Sequence, residues 1–248
     1  MRAIILAAGR GSRMGTLSDE RPKCLVDLRG KPLIERQIRA LRGGGVDEVG
    51  VVRGYRRDMI TLPNITCFDN FRWAETNMVA SLAAAAEWLL TGPVIVSYAD
   101  IFYRRPLVRE LAAAAGDLVI SYDRQWRMLW SRRFADPLID AETFRVDGSG
   151  ALVEIGCKAA KIEEIGGQYM GLLKFTPAAW RAVEFLLAEL EPAARDRLDM
   201  TGLLRRLLGQ GFPIATLGTD GHWGEIDNPG DLALYESMVT DGELLLDP

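Results

Sequence analysis

The chain opens with Ala3-Ile-Ile-Leu-Ala-Ala-Gly9-Arg-Gly-Ser-Arg13, followed by a short polar stretch and Pro22-Lys23. The apolar run over residues 3–8 predicts a buried strand that stops abruptly at small residues. Glycines there tolerate unusual backbone angles and let N–H groups approach an anion closely. Arg13 and Lys23 stand beside the loop as cations. Strand, glycine loop and flanking cations together predict a nucleotide-phosphate site, and taken alone the glycines are equally compatible with an ordinary turn. Gly9 and Gly11 fit the first two positions of G-x-G-x-x-G, but Met14 occupies the third and Gly15 comes one residue late. A dinucleotide-dependent oxidoreductase is thereby disfavoured, and no P-loop pattern is present.

Strand and helix signals alternate after the loop. Pro32 can open a helix whose face carries Leu33, Ile34, Ile38 and Leu41, and Gly43-Gly44-Gly45 ends it. Strands are predicted over 49–52, 65–68, 94–98 and 118–122. Helices are predicted over 78–90, capped by Thr76 or Asn77, and over 106–115. This rhythm implies a parallel sheet with helices on both faces. Residues 124–175 are richer in aromatics, charges and glycines. There Asp147-Gly148 reads as a hairpin turn between strands over 144–146 and 151–155, and another strand follows over 169–175. Helices over 177–190, 200–208 (behind Asp199 as cap) and 232–239, with a short strand over 214–217, complete the chain. The expected fold is α/β and Rossmann-like, with a mostly parallel central sheet, helices on both faces and a small β-rich inserted lobe. It is expected to be a single domain, with a nucleotide-binding part over about 1–123, an acceptor-binding insertion over about 124–175, and C-terminal helices with a metal segment over about 176–248.

Composition narrows the partners. A net charge of −4 and a pI near 5.3 argue against nucleic acid or an anionic membrane surface as the main partner. The first apolar run is too short for a signal peptide and is followed directly by Arg10 and Arg13, and no stretch reaches the length of a membrane span. Cys24, Cys67 and Cys157 are widely spaced with no C-x-x-C, so they read as reduced, core-filling thiols of a cytoplasmic protein. His222 is the one histidine, which excludes a multi-histidine metal centre and weakens any Ser-His-Asp reading.

Two acidic segments carry the next expectation. Asp100 follows a predicted buried strand, and in open α/β sheets ligands bind outside the carboxyl ends of strands. A carboxylate there suits Mg²⁺, or it caps the next segment. In Glu225-Ile226-Asp227, alternation puts both carboxylates on one face of an extended strand, at a metal or at a solvated edge. Asn77 at a helix start presents donor and acceptor together and, with Ser81, could contact a nucleobase edge, or it serves only as a cap. Lys158 after the hairpin could hold a phosphate or lie on the surface. Trp126, Trp130, Tyr169 and Trp223 could form an ammonium cage, with Asp136, Asp140 or Glu142 adding charge, or they are core. Arg132 and Arg133 belong either to the site or to a solvated edge.

The pattern L-A-A-G-x-G-S-R with P-K, together with the Tyr98-Ala-Asp100 and Glu225-Ile-Asp227 segments, resembles the signature of the nucleotidyltransferases, and nearly the whole chain is similar to the bacterial cytidylyltransferases among them. Those motifs are similar to the phosphocholine and 2-aminoethylphosphonate enzymes, and Ser97-Tyr-Ala-Asp-Ile101, Leu129-Trp-Ser-Arg-Arg-Phe134, Asp140-Ala-Glu142 and Gln168-Tyr-Met-Gly-Leu172 look closer still to the phosphoglutamine cytidylyltransferases. The resemblance implies the nucleotide-diphospho-sugar transferase type of fold. It implies a Mg²⁺-dependent enzyme that joins CMP from CTP to a small phosphate or phosphonate acceptor and releases pyrophosphate, in capsule or cell-surface polysaccharide biosynthesis, as a monomer or homodimer. It implies that Gly11, Ser12, Arg13 and Lys23 bind the triphosphate and that Leu6, Ala8, Gly9, Asn77, Ser81 and Asp100 complete the nucleotide site. Asp100, Glu225 and Asp227 would hold the metal. Arg13, Lys23 and Lys158 would be catalytic, with Lys158, Trp126, Trp130, Tyr169 and Trp223 at the acceptor. Tyr98 stands where phosphocholine enzymes carry an extra Asp, and Glu75-Thr-Asn-Met-Val79 replaces the glycine-threonine-alanine segment of sugar nucleotidyltransferases. The alternatives are a sugar-1-phosphate nucleotidyltransferase using UTP, dTTP or GTP, and a catalytically silent nucleotide-binding subunit.

Overall fold

Alternation along the first strand divides the core in two. Ala3, Ile5 and Ala7 join one buried cluster with Leu33, Ile34, Ile38 and Leu41, while Ile4, Leu6 and Ala8 join the other with Val79, Leu82 and Trp180. A strand apolar on both sides needs cover on both faces. In the computed structural model, which describes residues 1–247, helices supply that cover. The strands are β1 (Arg2–Ala7), β2 (Asp27–Leu28), β3 (Lys31–Pro32), β4 (Glu48–Arg53), β5 (Thr66–Asp69), β6 (Val94–Tyr98), β7 (Ile101–Phe102), β8 (Leu118–Asp123), β9 (Glu142–Val146), β10 (Leu152–Lys158), β11 (Gln168–Phe175), β12 (Ala215–Thr219) and β13 (Gly224–Glu225).

Seven of them form the main sheet in the order β12-β8-β11-β6-β1-β4-β5. The pairs β1/β4, β1/β6, β4/β5 and β12/β8 are parallel, and β11 runs antiparallel to both β6 and β8. The carboxyl ends of β1, β6 and β8 therefore share one edge, where a ligand site belongs.

Three expectations are corrected. The strand over 169–175 lies in the main sheet and not in the lobe. Its Leu172 packs in one cluster and Leu173 and Phe175 in the other, so only a doubly covered position buries it. The helix expected over 78–90 is two, Met78–Ala83 and Ala86–Thr91. The amides of Ala84 and Ala85 bond three residues back, to Ser81 and Leu82, and Trp88 then meets Phe68 edge-on at 5.2 Å. Alanine suits either geometry, so packing decides. Residues 124–175 open with an unanticipated helix, Trp126–Arg133, whose Trp126, Leu129 and Trp130 bury one face at i, i+3, i+4 spacing.

The lobe retains the antiparallel hairpin β9–β10, tied to the sheet by the Leu152 amide donating to the Ile214 carbonyl at 2.9 Å. Cys24 is buried, but Cys67 and Cys157 are exposed, against their expected place in the core. Among the described residues no helix is long and apolar enough to cross a membrane.

Candidate active site

The glycine loop leaves β1 and enters a short 3₁₀ turn, Ser12–Met14. Gly11 adopts φ +69° and lies against the stem of Lys23, where an added Cβ would fall 2.7 Å from Lys23 Cβ. A side chain at position 11 is thus opposed twice, by backbone conformation and by contact. The Ser18 hydroxyl donates to the Gly11 carbonyl at 2.9 Å and pins the loop. Leu6, Ala8, Gly9, Gly11, Lys23, Asn77, Ser81 and Asp100 all line one cavity at the carboxyl ends of β1 and β6. Ser12 is exposed, and Arg13 reaches over the loop with its side chain 67% exposed.

The far end of this cavity is organised by residues with no sequence signal. Asn70, buried, donates from Nδ2 to Thr76 Oγ1 and Ser81 Oγ, each at 3.0 Å. Trp73 and Thr76 line the same cavity. Asn77 caps its helix: Oδ1 accepts from the Met78 amide at 2.8 Å and Nδ2 donates to the Arg197 carbonyl at 3.2 Å. Its amide is therefore largely engaged within the protein.

A two-stranded ribbon brings the distant acidic segments together. β7 pairs antiparallel with β13, placing Glu225 opposite Ile101, and the Ile226 amide donates to the Asp100 carbonyl at 2.9 Å. Buried Gln37 donates from Nε2 to the carbonyls of Tyr98 and Ile101, and so clamps the turn that carries Asp100. As a result, carboxylate oxygens of Asp100, Glu225 and Asp227 lie within 4.8 Å of one another. Lys23 Nζ donates to Asp100 Oδ2 at 2.8 Å and to Asp227 Oδ1 at 2.7 Å, and Arg13 Nη2 lies 2.8 Å from the same Asp227 oxygen. Burial pulls the Lys23 ammonium down, but Asp100 and Asp227 outweigh it and hold its pKa above the usual value. Burial, then Asp227 and Asp100, push Glu225 well above the carboxylate range. Burial opposes ionisation of Asp227 too, yet its hydrogen bonds with Glu225 and Lys23 keep it below that range.

Arg133 supports this cluster from beneath. Its side chain is fully buried, bonds Asp231 from Nε at 2.9 Å and Nη2 at 3.2 Å, and lies 3.6 Å from Asp227 and 3.8 Å from Glu225. Asp231 in turn accepts from the Asp227 amide at 2.8 Å. Of the two roles open to Arg133 from sequence, the structure assigns the site.

The carboxylate set fits a hard divalent cation. Its donors are all oxygen, and the buried Asp100 Oδ1 has no hydrogen-bond partner among the described residues.

A second cavity adjoins the first, sharing Met78 and Tyr98, with Arg13, Glu225 and Asp227 on its wall. Asp140, Glu142 and Asp199 also line it, as does Tyr169, whose ring meets Tyr98 edge-on at 5.9 Å. Burial, then Asp199 and Asp140, raise the Glu142 pKa. Lys158 is exposed at the end of β10, opposite Glu142 in the hairpin register. The tryptophans are elsewhere. Trp126, Trp130 and Trp223 are buried in the core, their indole N–H groups donating to the Ile165 carbonyl, Asp140 and Asp123. An aromatic cage built from them is corrected accordingly: each ring packs in the core and its N–H is already paired. Asp136 caps a 3₁₀ turn through the Leu138 amide. His222 lies in a loop at φ +56°.

An open α/β sheet, a glycine loop after the interior strand β1, and paired carboxylates facing a lysine and an arginine define a nucleotidyltransferase. Residues 3–159 match the family model described as the MobA-like NTP transferase domain, and the chain belongs to that family. It is 37% identical over 253 residues to the CTP:phosphoglutamine cytidylyltransferase of Campylobacter jejuni, covering 94% of this chain and 98% of that one. The fold is similar to the inositol-1-phosphate CTP transferase of T. maritima, with a TM-score of 0.76 at 17% identity over 100% of this chain and 98% of that one. It is also similar to the CTP:phosphocholine cytidylyltransferase of Streptococcus pneumoniae, with a TM-score of 0.70 at 20% identity over 96% and 98% of the two chains.

Proposed function

We propose that the enzyme transfers CMP from CTP to a small phosphate or phosphonate compound bearing an amine, with phosphoglutamine-like acceptors foremost, and releases pyrophosphate. One observation carries this reading: two cavities meet at Tyr98 and Met78, with Lys23, Arg13 and the carboxylates of Asp100, Glu225 and Asp227 at their junction. The first cavity receives the nucleotide, its base toward Trp73 and Ser81 and its phosphates toward Gly11 and Lys23. The second receives the acceptor.

Asp100 and Asp227, with Glu225 assisting, are the residues that would hold Mg²⁺, which supplies neutralisation of phosphate charge. An acceptor phosphate oxygen, already ionised at neutral pH, forms a bond to the α-phosphorus. The bond from that phosphorus to the bridging oxygen breaks, and pyrophosphate leaves. No general base is required, in keeping with a site that contains no histidine among its described residues. Lys23 and Arg13 counter the charge that develops on the departing pyrophosphate. Asp140, Glu142 and Asp199 give one wall of the acceptor cavity the sign that attracts an ammonium group. Lys158, exposed beside this wall, is placed to meet an acceptor from solvent.

Pyrophosphate release across the four nucleoside triphosphates, each offered with phosphoglutamine, phosphocholine, 2-aminoethylphosphonate and a hexose 1-phosphate, tests the reading. Turnover with CTP and an amine-bearing acceptor is expected. Turnover confined to UTP or dTTP with the sugar phosphate rejects it in favour of a sugar nucleotidyltransferase. Glu142→Gln is expected to raise the acceptor KM by about tenfold or more, the cost of one charged hydrogen bond, and to leave the CTP KM unchanged.

A further inference from the structure

Lys23 is placed to serve two partners in turn. Its ammonium sits between the carboxylates of Asp100 and Asp227, at 2.8 and 2.7 Å, while the same side chain lines the nucleotide cavity. Only about a tenth of that side chain is exposed, and Gly11 packs on its stem, so the ammonium has few other places to go. It holds one oxygen of each of two carboxylates that a divalent ion would use, and leaves Asp100 Oδ1 open. Arg13 already lies on Asp227 Oδ1, and Arg133 approaches its other oxygen at 3.6 Å. A metal entering this arrangement would displace or abut a buried cation of like charge. A triphosphate changes the balance, because its oxygens offer Lys23 and Arg13 an alternative partner within the same cavity.

We propose that Lys23 is a resident cation that keeps divalent metal off Asp100 and Asp227 until a nucleotide takes the ammonium over, so that metal enters with or after the nucleotide and not before it. The inference rests on the reading of Asp100 and Asp227 as the metal pair. By linkage, the nucleotide then raises metal affinity by the factor through which metal raises nucleotide affinity.

Mn²⁺ titration followed by electron paramagnetic resonance, on the full-length protein without nucleotide, tests it. Wild type is expected to bind weakly, Lys23→Met at least about tenfold more tightly, a typical coupling between sites. Lys23→Arg, which keeps the charge, is expected to behave as wild type, and Lys23→Gln provides a second neutral variant should the methionine fail to fold. Equal affinity in wild type and the neutral variants overturns the proposal. So does wild-type protein that binds Mn²⁺ as tightly without CTP as with it, a comparison that needs no variant. The enzyme–CTP–Mn²⁺ signal in Asp100→Asn separates the two levels. If that signal is lost while Lys23→Met shows no gain, the metal pair stands and the gating role falls. If the signal is unchanged, the metal pair itself is rejected.

Discussion

Asp100→Asn is expected to lower kcat by about 10²–10³-fold, the usual cost of removing one group that acts on transition-state charge. The substitution preserves shape and removes one negative charge. Among the described residues Asp100 Oδ1 has no hydrogen-bond partner and Oδ2 meets Lys23, which keeps Asp227. Folding is therefore expected to be nearly unaffected, and the melting temperature supplies the control. A variant that melts like wild type and turns over at more than about a tenth of its rate would show that the carboxylate is not acting on the reaction, since that loss is below the range for such a group.

The largest effect on stability is expected at Arg133. Arg133→Met fits an apolar chain into a space beside the rings of Trp130 and Phe134, whose centroids lie 4.9 and 5.1 Å from the guanidinium carbon. It leaves Asp231, itself buried, without its cation. Breaking a buried pair on one side costs about 3–5 kcal/mol, because the remaining charge is stranded. Denaturant unfolding measures this directly. Asp231→Asn combined with Arg133→Met is expected to recover part of the loss, since no lone charge then remains. If the double variant is as unstable as the single one, the cost lies in packing and not in the ion pair. Asp231 also holds the Asp227 amide, so a folded Arg133→Met protein is expected to show weakened activity, with the acceptor KM little changed.

Much of the architecture is legible in the residues. The unbroken apolar runs mark the strands of the parallel part because a strand covered on both faces has a continuous apolar signature. The caps are legible in place: Asp199 accepts from the Gly202 amide three residues on, as a cap should, while Asn77 stands at its helix start but accepts only from the next amide, Met78. Legibility fails where one pattern serves two ends. A strand at 169–175 reads the same in a lobe or in the main sheet. Trp126, Trp130 and Trp223 read the same as core or as cage, because an indole offers an apolar face and a single donor in either place. Arg133 is one of two adjacent arginines, and only the helix that carries it determines that it points inward while Arg132 meets Glu243 at the surface.

The glycine loop and its lysine were determined by the sequence alone. The strand, glycines and Lys23 lie within one short stretch, where backbone sterics and sequence spacing leave few arrangements. Tertiary structure decided everything that joins residue 100 to residues 225–227: the β7–β13 ribbon, the Gln37 clamp, Lys23 between the carboxylates and Arg133 below them. Those contacts depend on register and burial between segments far apart in the chain, from Gln37 on Tyr98 to Lys23 on Asp227, and no local pattern of side chains specifies either.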